Sequence, residues 1–400
     1  MPYVAECDLE KCRDCGICRE LIACPGDAGC IGCGACALAC PQEAIQMVEE
    51  PREREVEIEV DGRRARVPQR ISIREALEIL GYPSAQHTGE LGLFAPCRVG
   101  GCWSCAVVIG KVVRPSCVTP VQEGMNISTT VSPAYPPRRL VHGFMGHSVG
   151  GVGTPWHLKG TRYIEAACFA AGCNFRCPQC QNWTTTYRGR GDPLLPQEAA
   201  IIMTRTRRRL GVSRMAISGG ECTLNRSWLI QYLEKLRELN PDPEARLHVD
   251  TNGSLLTPDY IDQLVEAGMT DIGIDLKALE TETFMRITGL RDESLAQRYK
   301  ETAWEAAKYT FHRYSDKVFL GIGIPYNKEL VSLQEISDMG SKIYREIDPS
   351  VQVCVLDYRA EFRSFIPRPS YTEMKTVQQV LQQTGLKTVI CQTEYGHIGP

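Results

Sequence analysis

Gly172-Cys173-Asn174-Phe175-Arg176-Cys177-Pro178-Gln179-Cys180-Gln181-Asn182-Trp183 is the stretch on which the reading of this chain turns. Its three cysteines have C-x3-C-x2-C spacing, and they follow an apolar run, Tyr163 to Ala171, that reads as a strand. Three thiolates on one tight loop can hold three irons of a cubane cluster. The fourth iron then has no protein ligand and can take a substrate or cofactor. On spacing alone, zinc or a cluster with its fourth cysteine elsewhere is the alternative.

Downstream, apolar β-rich runs alternate with amphipathic stretches. The runs are Tyr163–Cys168, Arg214–Ser218, Arg246–Asp250, Asp271–Leu276, Val318–Ile324 and Val351–Leu356. Helical patterns near Gln197–Leu210, Asn225–Leu239, Pro258–Ala267, Ser294–Phe311, Leu330–Ile347 and Tyr371–Gly385 separate and follow them. Repeated βα units predict a parallel sheet, whose chemistry belongs at the C-terminal strand ends. Three motifs fall there: Ser218-Gly219-Gly220-Glu221, Asp250-Thr251-Asn252-Gly253 and Asp275-Leu276-Lys277. Paired glycines let backbone approach a ligand, and Glu221 can accept from an ammonium group. Taken singly, the first motif reads equally as a turn and the Asp/Lys pair as a salt bridge. Cys222, next in line, reads as small apolar filler or as a hydrogen donor. Asp357-Tyr358 and Glu361-Phe362-Arg363, after the sixth strand, face substrate or form a solvated rim; His397-Ile398-Gly399-Pro400 ends the sequence.

The cluster loop resembles that of radical SAM enzymes, most closely the pyruvate formate-lyase-activating-enzyme branch and its AmmeMemoRadiSam-like members. The resemblance covers roughly residues 160 to 400. It implies a partial (βα)6 barrel in which Cys173, Cys177 and Cys180 hold a [4Fe–4S] cluster with an open iron. That iron binds S-adenosylmethionine, which one electron cleaves to methionine and a 5′-deoxyadenosyl radical. It further implies that Gly219, Gly220 and Glu221 meet the cofactor's amino group and Lys277 its carboxylate, with Asp250 and Asn252 in the cofactor set. Asp250, Thr251, Gly273 and Asp275 are implied as ligands of a monovalent cation, and Thr288-Gly289 also resembles that branch. Gln179 stands where the family usually has an aromatic residue, and Cys222 where it usually has proline.

Residues 1–50 hold two further cysteine runs. Cys12, Cys15 and Cys18 lead to Cys24-Pro25, and Cys30, Cys33 and Cys36 lead to Cys40-Pro41. In two-cluster ferredoxins the fourth cysteine of each run ligates the other cluster. Cys12, Cys15, Cys18 and Cys40 are thus expected to hold one cubane, and Cys30, Cys33, Cys36 and Cys24 the other. Cys7 is left as a spare thiol. Residues 51–131 open with alternating Val56, Ile58 and Val60 before Asp61-Gly62, a hairpin pattern, then a helical pattern from Ile73 to Leu80. Cys97, Cys102, Cys105 and Cys117 follow in C-x4-C-x2-C-x11-C spacing. This resembles the β-grasp [2Fe–2S] domain of succinate dehydrogenase and complex I iron–sulfur subunits, and Val118 to Met125 resembles the segment after the last ligand there. Zinc is the alternative for both sets. Residues 132–160, rich in Pro and Gly, read as a linker, with capping of the active site as the other option.

The full chain is therefore expected to be a multidomain protein of 400 residues. Its 20 cysteines in metal-ligand clusters point to a reducing, cytoplasmic and anaerobic setting rather than to disulfides. A net charge of −3 gives no nucleic-acid footprint, and no apolar run predicts a membrane span. The function expected is an oxidoreductase-type radical SAM enzyme acting on an unknown substrate. Three [4Fe–4S] clusters, one [2Fe–2S] cluster and S-adenosylmethionine are its expected cofactors. An external ferredoxin- or flavodoxin-like donor is the expected partner, and a protein substrate is one option. A glycyl-radical-enzyme activase and an electron-transfer subunit of a larger redox complex are the alternatives.

Overall fold

The computed structural model describes residues 2–22, 24, 29–87, 90–158 and 162–400. Pro25 of the Cys24-Pro25 signature lies outside the described residues. Strands β1 (Tyr3–Cys7) and β2 (Ile45–Glu49) pair antiparallel and close the first cysteine-rich segment into one unit. Between them lie two one-turn helices, Ile17–Glu20 and Ala35–Ala39.

The second unit is a mixed sheet. Strands β3 (Glu55–Val60) and β4 (Arg63–Pro68) form the expected hairpin, and β5 (Ser84–Ala85) and β6 (Leu93–Phe94) pair apart from it. Strands β7 (Ala106–Ile109), β8 (Val112–Pro115) and β9 (Asn126–Ser128) complete a five-stranded order β4-β3-β9-β7-β8. The alternation read at Ile58 and Val60 turns those side chains onto the helix Ile73–Ile79, where Ile73, Ala76 and Leu77 are buried. Ser72 caps this helix, its hydroxyl accepting from Glu75 N–H at 3.2 Å.

The third unit is an open nine-stranded sheet. Strand β10 (Val141–His147) runs antiparallel to β11 (Glu165–Ala170). Parallel neighbours follow in sequence order: β12 (Arg214–Gly219), β13 (Arg246–Thr251), β14 (Asp271–Asp275), β15 (Phe319–Tyr326), β16 (Gln352–Asp357) and β17 (Thr388–Thr393). Antiparallel β18 (Gly396–Ile398) forms the other edge. The six expected strands are present, but a seventh parallel strand, β17, and both edges were not foreseen. The helices match the expected patterns closely, from Pro196–Leu210 to Tyr371–Gln383.

The stretch read as a linker does more than connect. Residues Val141–His147 form an edge strand of the large sheet, with an irregular register between His142 and Met145. Gly143 and Gly146 break the apolar alternation there, so no strand period is visible. Residues 150–155 then fold into the concave side of the sheet.

Candidate active site

A cavity of about 440 Å³ lies on the concave face of the sheet. Cys173, Cys177, Cys180, Gly219, Gly220, Asp250, Thr251, Asn252, Asp275 and Lys277, all named from sequence, line it. Repeated βα units place their loops at the C-terminal strand ends, which is why residues scattered over a hundred positions meet there.

The cysteine loop is fixed by its own arginine. Arg176 donates from Nη1 to the carbonyls of Cys173 and Phe175, both at 2.7 Å, and its backbone N–H donates to Thr288 O at 2.7 Å. Thr288-Gly289 is thus a wall of this loop. Gln179 donates to Ile287 O at 2.8 Å. Burial, with each thiol's neighbours adding to it, pushes Cys173 and Cys177 up, Cys177 to about 12. Burial likewise raises Cys180. Three buried thiols on one loop, held neutral by burial, suit a metal, which supplies positive charge and deprotonates its ligands. The donor set therefore fits an iron–sulfur group on Cys173, Cys177 and Cys180.

Lys277 faces the same space. It donates to Asp275 Oδ2 at 2.6 Å and to the Tyr358 hydroxyl at 2.9 Å. Burial opposes its charge, but Asp275 together with Tyr358 and Cys177 overcomes burial and holds its pKa well above the ordinary lysine value. The ammonium therefore stays protonated and offers a positive charge beside the thiols. Asn252 Nδ2 donates to Asn174 Oδ1 at 3.0 Å, tying β13 to the cysteine loop.

Glu221 is placed differently from expectation. It is buried, is absent from the cavity lining and accepts from four donors at 2.9 Å or less. Thr223 N–H (2.9 Å), Thr223 Oγ1 (2.6 Å) and Thr251 Oγ1 (2.7 Å) bond Oε1, and Asn252 N–H bonds Oε2 at 2.7 Å. The carboxylate is a knot between two strand-end loops. The quartet implied for a monovalent cation is likewise engaged within the protein. Thr251 bonds Glu221, and Asp275 pairs with Lys277. Asp250 Oδ1 accepts from Gly153 N–H at 3.2 Å and contacts His248 Nε2 at 3.0 Å. Gly273 is the glycine over which the Asp250 carboxylate lies, since a Cβ there would collide with it. These groups are joined by hydrogen bonds within the protein. Cys222 is fully buried and its thiol reaches Asp250 O at 3.1 Å, facing away from the cavity. It is filler with a hydrogen bond, whereas Cys354 of β16 lines the cavity.

The floor of the cavity was invisible in sequence. Glu165 at the start of β11 contacts His147 Nδ1 at 2.9 Å and His248 Nδ1 at 3.2 Å. Arg214 pairs with Asp271 at 2.9 Å and donates to Gly153 O at 3.1 Å. Gln352 donates to Thr154 O at 2.9 Å. Burial works against charge on His248, yet Asp250 and Glu165 raise it to about 10. Burial also opposes charge on Glu165, and His147 and His248 with Arg214 overcome it, lowering its pKa.

The other thiols lie near one another within their two units. In the second unit, Cys102 Sγ and Cys97 Sγ are 3.2 Å apart, and Cys117 hydrogen-bonds both Cys97 and Cys105. All four are buried. In the first unit, Cys18 sits within electrostatic reach of Cys40 and Cys15, and Cys36 within reach of Cys33, Cys24 and Cys30. Each of these neighbourhoods includes one cysteine of the other run, Cys40 beside Cys18 and Cys24 beside Cys36. Cys7 lies within electrostatic reach of Cys12, Cys40 and Cys18.

Sequence reasoning also missed the arginines that join these units. Arg176 Nη2 donates across to Pro96 O (2.9 Å) and Cys97 O (3.0 Å). Arg363 donates to Cys40 O and Ala37 O, both at 2.8 Å, while its backbone N–H donates to Pro178 O at 2.9 Å. Phe362 stacks between Trp183 and Tyr187. Asp357, read with these as a possible rim, is buried and paired with Arg359 and Arg368. No local pattern marks such residues, because their partners lie 79 or more positions away.

Residues 168–332 match the model of the radical SAM superfamily. Residues 53–132 match that of the 2Fe-2S iron-sulfur cluster binding domain, and residues 29–46 that of the 4Fe-4S binding domain. A probable GTP 3',8-cyclase of Saccharolobus solfataricus is 33% identical over 119 residues, 30% of this chain and 36% of that protein. The GTP 3',8-cyclase of Synechococcus sp. strain CC9605 is 34% identical over 131 residues, 32% of this chain and 37% of that one. The similarity thus spans little more than a third of these curated relatives' length. Among solved structures, a radical SAM methyltransferase from Sphaerobacter thermophilus aligns at 16% identity and a TM-score of 0.43, covering 58% of this chain and 67% of that one. Among the described residues no helix is long and apolar enough to cross a membrane. The chain carries a radical SAM domain preceded by a 2Fe–2S binding domain and a 4Fe–4S binding segment.

Proposed function

We propose that the protein cleaves S-adenosylmethionine reductively and uses the resulting radical to abstract hydrogen from its substrate, with electrons relayed by its own N-terminal units. The observation that carries this reading is the convergence of Cys173, Cys177, Cys180 and the charged Lys277 on one cavity. When bound, the iron–sulfur group supplies the electron and the open coordination site. Lys277 holds the cofactor carboxylate through its ammonium, and Tyr358 and Asp275 aim that ammonium. Gly219 and Gly220 leave room for the cofactor's methionyl end. Asn252 steadies the cysteine loop through Asn174.

The activating-enzyme likeness of Asp250-Thr251-Asn252-Gly253 and Asp275-Leu276-Lys277 supports a cofactor mode of that type. The two cyclases named above resemble this chain over only 119 and 131 residues. A ferredoxin- or flavodoxin-like protein is the proposed electron source, entering at the exposed Cys12, Cys15 and Cys24. The full complement is three [4Fe–4S] groups and one [2Fe–2S] group, or about fourteen irons per chain.

The test is anaerobic reconstitution, reduction and incubation with S-adenosylmethionine. The expected result is 5′-deoxyadenosine and about fourteen irons. Full iron loading with no 5′-deoxyadenosine would make the chain an electron-transfer subunit instead. Zinc in the thiol sites would refute the cluster assignment altogether.

A further inference from the structure

The relay proposed above does not say which thiols pass the electron to the cysteine loop. We infer that the four-thiol pocket of the second unit does so, across the contact of Gly172 with Cys97 and Cys102, and that Arg176 is the positioning residue for that contact. The inference rests on the radical SAM reading and adds order to it.

Gly172 immediately precedes Cys173 and has φ +86°, a left-handed conformation that favours glycine. A Cβ on it would lie 2.8 Å from Cys97 Cβ and 3.1 Å from both Cys102 Cβ and Cys102 N. Main chain next to one ligand thus touches the side chains of two others, with nothing between them. Arg176 then spans the seam. One nitrogen holds the carbonyls of Cys173 and Phe175, and the other holds those of Pro96 and Cys97. Further bonds cross the same seam: Asn225 Nδ2 to Cys102 O at 3.0 Å and Ser104 Oγ to Leu224 O at 2.9 Å. A surface satisfied this completely is a fixed docking, not a passing contact.

The competing route starts from Cys40. Its carbonyl is linked to the cysteine loop through Arg363, whose guanidinium binds Cys40 O while its backbone N–H binds Pro178 O. Along that link a whole side chain separates Cys40 from the loop. Tunnelling falls steeply with distance, so the contact without an intervening side chain carries the last hop. Exposure agrees with this order. Cys12 and Cys15 are open to a donor, whereas Cys97, Cys102, Cys105 and Cys117 are buried.

One electron leaves the reduced [2Fe–2S] group, which becomes oxidised. It enters the group on Cys173, Cys177 and Cys180, which becomes reduced. A reduced ferredoxin- or flavodoxin-type protein restores the electron through the first unit. No proton moves and no bond is made or broken in this step.

The experiment is electron paramagnetic resonance of the full-length, reconstituted, fully reduced protein. Added S-adenosylmethionine identifies which [4Fe–4S] signal belongs to Cys173, Cys177 and Cys180. The expected result is a [2Fe–2S] signal broadened and fast-relaxing through its spin neighbour, with the broadening altered by S-adenosylmethionine. Arg176→Gln should keep its iron and slow reduction of the S-adenosylmethionine-responsive signal by at least tenfold in freeze-quench, and Arg176→Lys should recover part of that rate. A sharp, uncoupled [2Fe–2S] signal beside a responsive [4Fe–4S] signal would overturn the inference and leave the radical SAM reading standing. Absence of any responsive signal would overturn that reading, and the inference with it. Should Arg176→Gln not fold, the coupling measured in the unaltered protein decides the matter.

Discussion

The mouth and the floor of the cavity are built from charged groups, but to opposite ends. At the mouth, Cys173, Cys177 and Cys180 are buried thiols whose pKa values burial raises, and Lys277 lines the cavity with its charge held by Asp275 and Tyr358. At the floor, Glu165, His248, Arg214 and Asp271 are buried and paired with one another. Residues 150–155 lie over that floor, with Gly153 bonded to both Asp250 and Arg214. Thiols held neutral by burial mark a place that a bound group would complete, and mutually paired charges mark a place the fold closes for itself. Mutations at the two ends should therefore separate chemistry from stability.

The largest effect is expected at the mouth. Cys177→Ala leaves two thiols on the loop, and 5′-deoxyadenosine formation should fall to background while thermal unfolding of the metal-free chain stays near that of the unaltered protein. Chromatographic assay of 5′-deoxyadenosine beside calorimetry checks both halves. Cleavage at the unaltered rate would remove the loop from the chemistry.

Next is the floor. Glu165→Gln keeps shape but removes the carboxylate between His147, His248 and Arg214. Breaking one partner of a buried ion network costs about 3–5 kcal/mol. Denaturant unfolding should show that loss, while iron content and cluster spectra in the folded protein remain unchanged. Unaltered stability with lost cleavage would erase the contrast between the two ends.

Lys277→Gln tests the mouth more gently. A hydrogen bond to a charged group contributes about 1.5–3 kcal/mol, so S-adenosylmethionine affinity should fall about tenfold or more. Equilibrium binding to the reconstituted, oxidised protein measures this. The same affinity in the variant would mean that Lys277 serves only Asp275 and Tyr358.

The two ends also differed in how readable they were. The mouth was legible because each motif is local: C-x3-C-x2-C, Ser-Gly-Gly-Glu and Asp-Leu-Lys each bring their groups within a few residues, and strand ends then gather them. Glu221 shows the limit of that logic. Its position was foreseen but not its four donors, because Thr251 and Asn252 come from another strand. The floor was not legible at all. His248 and Arg214 read as ordinary strand residues until the parallel register sets them beside Glu165 and Asp271. Residues 141–155 read as a linker because glycine and proline hide both the β10 edge and the segment beneath the cavity. Strand β17 is a different case, since Thr388-Val389-Ile390 has strand composition and was simply not counted.

The smallest effect concerns pH and isolates the imidazole at the floor. His248 is raised to about 10, by Asp250 and Glu165 against the opposing effect of burial. Its ordinary value is about 6.5. A group whose folded pKa is raised stabilises fully below its unfolded pKa and loses that contribution as pH rises through the folded value. The His248 contribution is therefore largest below about pH 6.5 and fades toward pH 10. Glu165, lowered in the folded state, runs the other way and fades only in acid. Tm of the unaltered protein should decline between pH 7 and pH 10, and His248→Gln should begin lower and decline less. The gap between the two should narrow by an amount on the order of a few degrees. Neutral imidazole can still hydrogen-bond one carboxylate, so the gap need not close. A constant gap across that range would mean that His248 holds the floor by shape and hydrogen bonding alone, and the closure of this end of the cavity would not depend on charge.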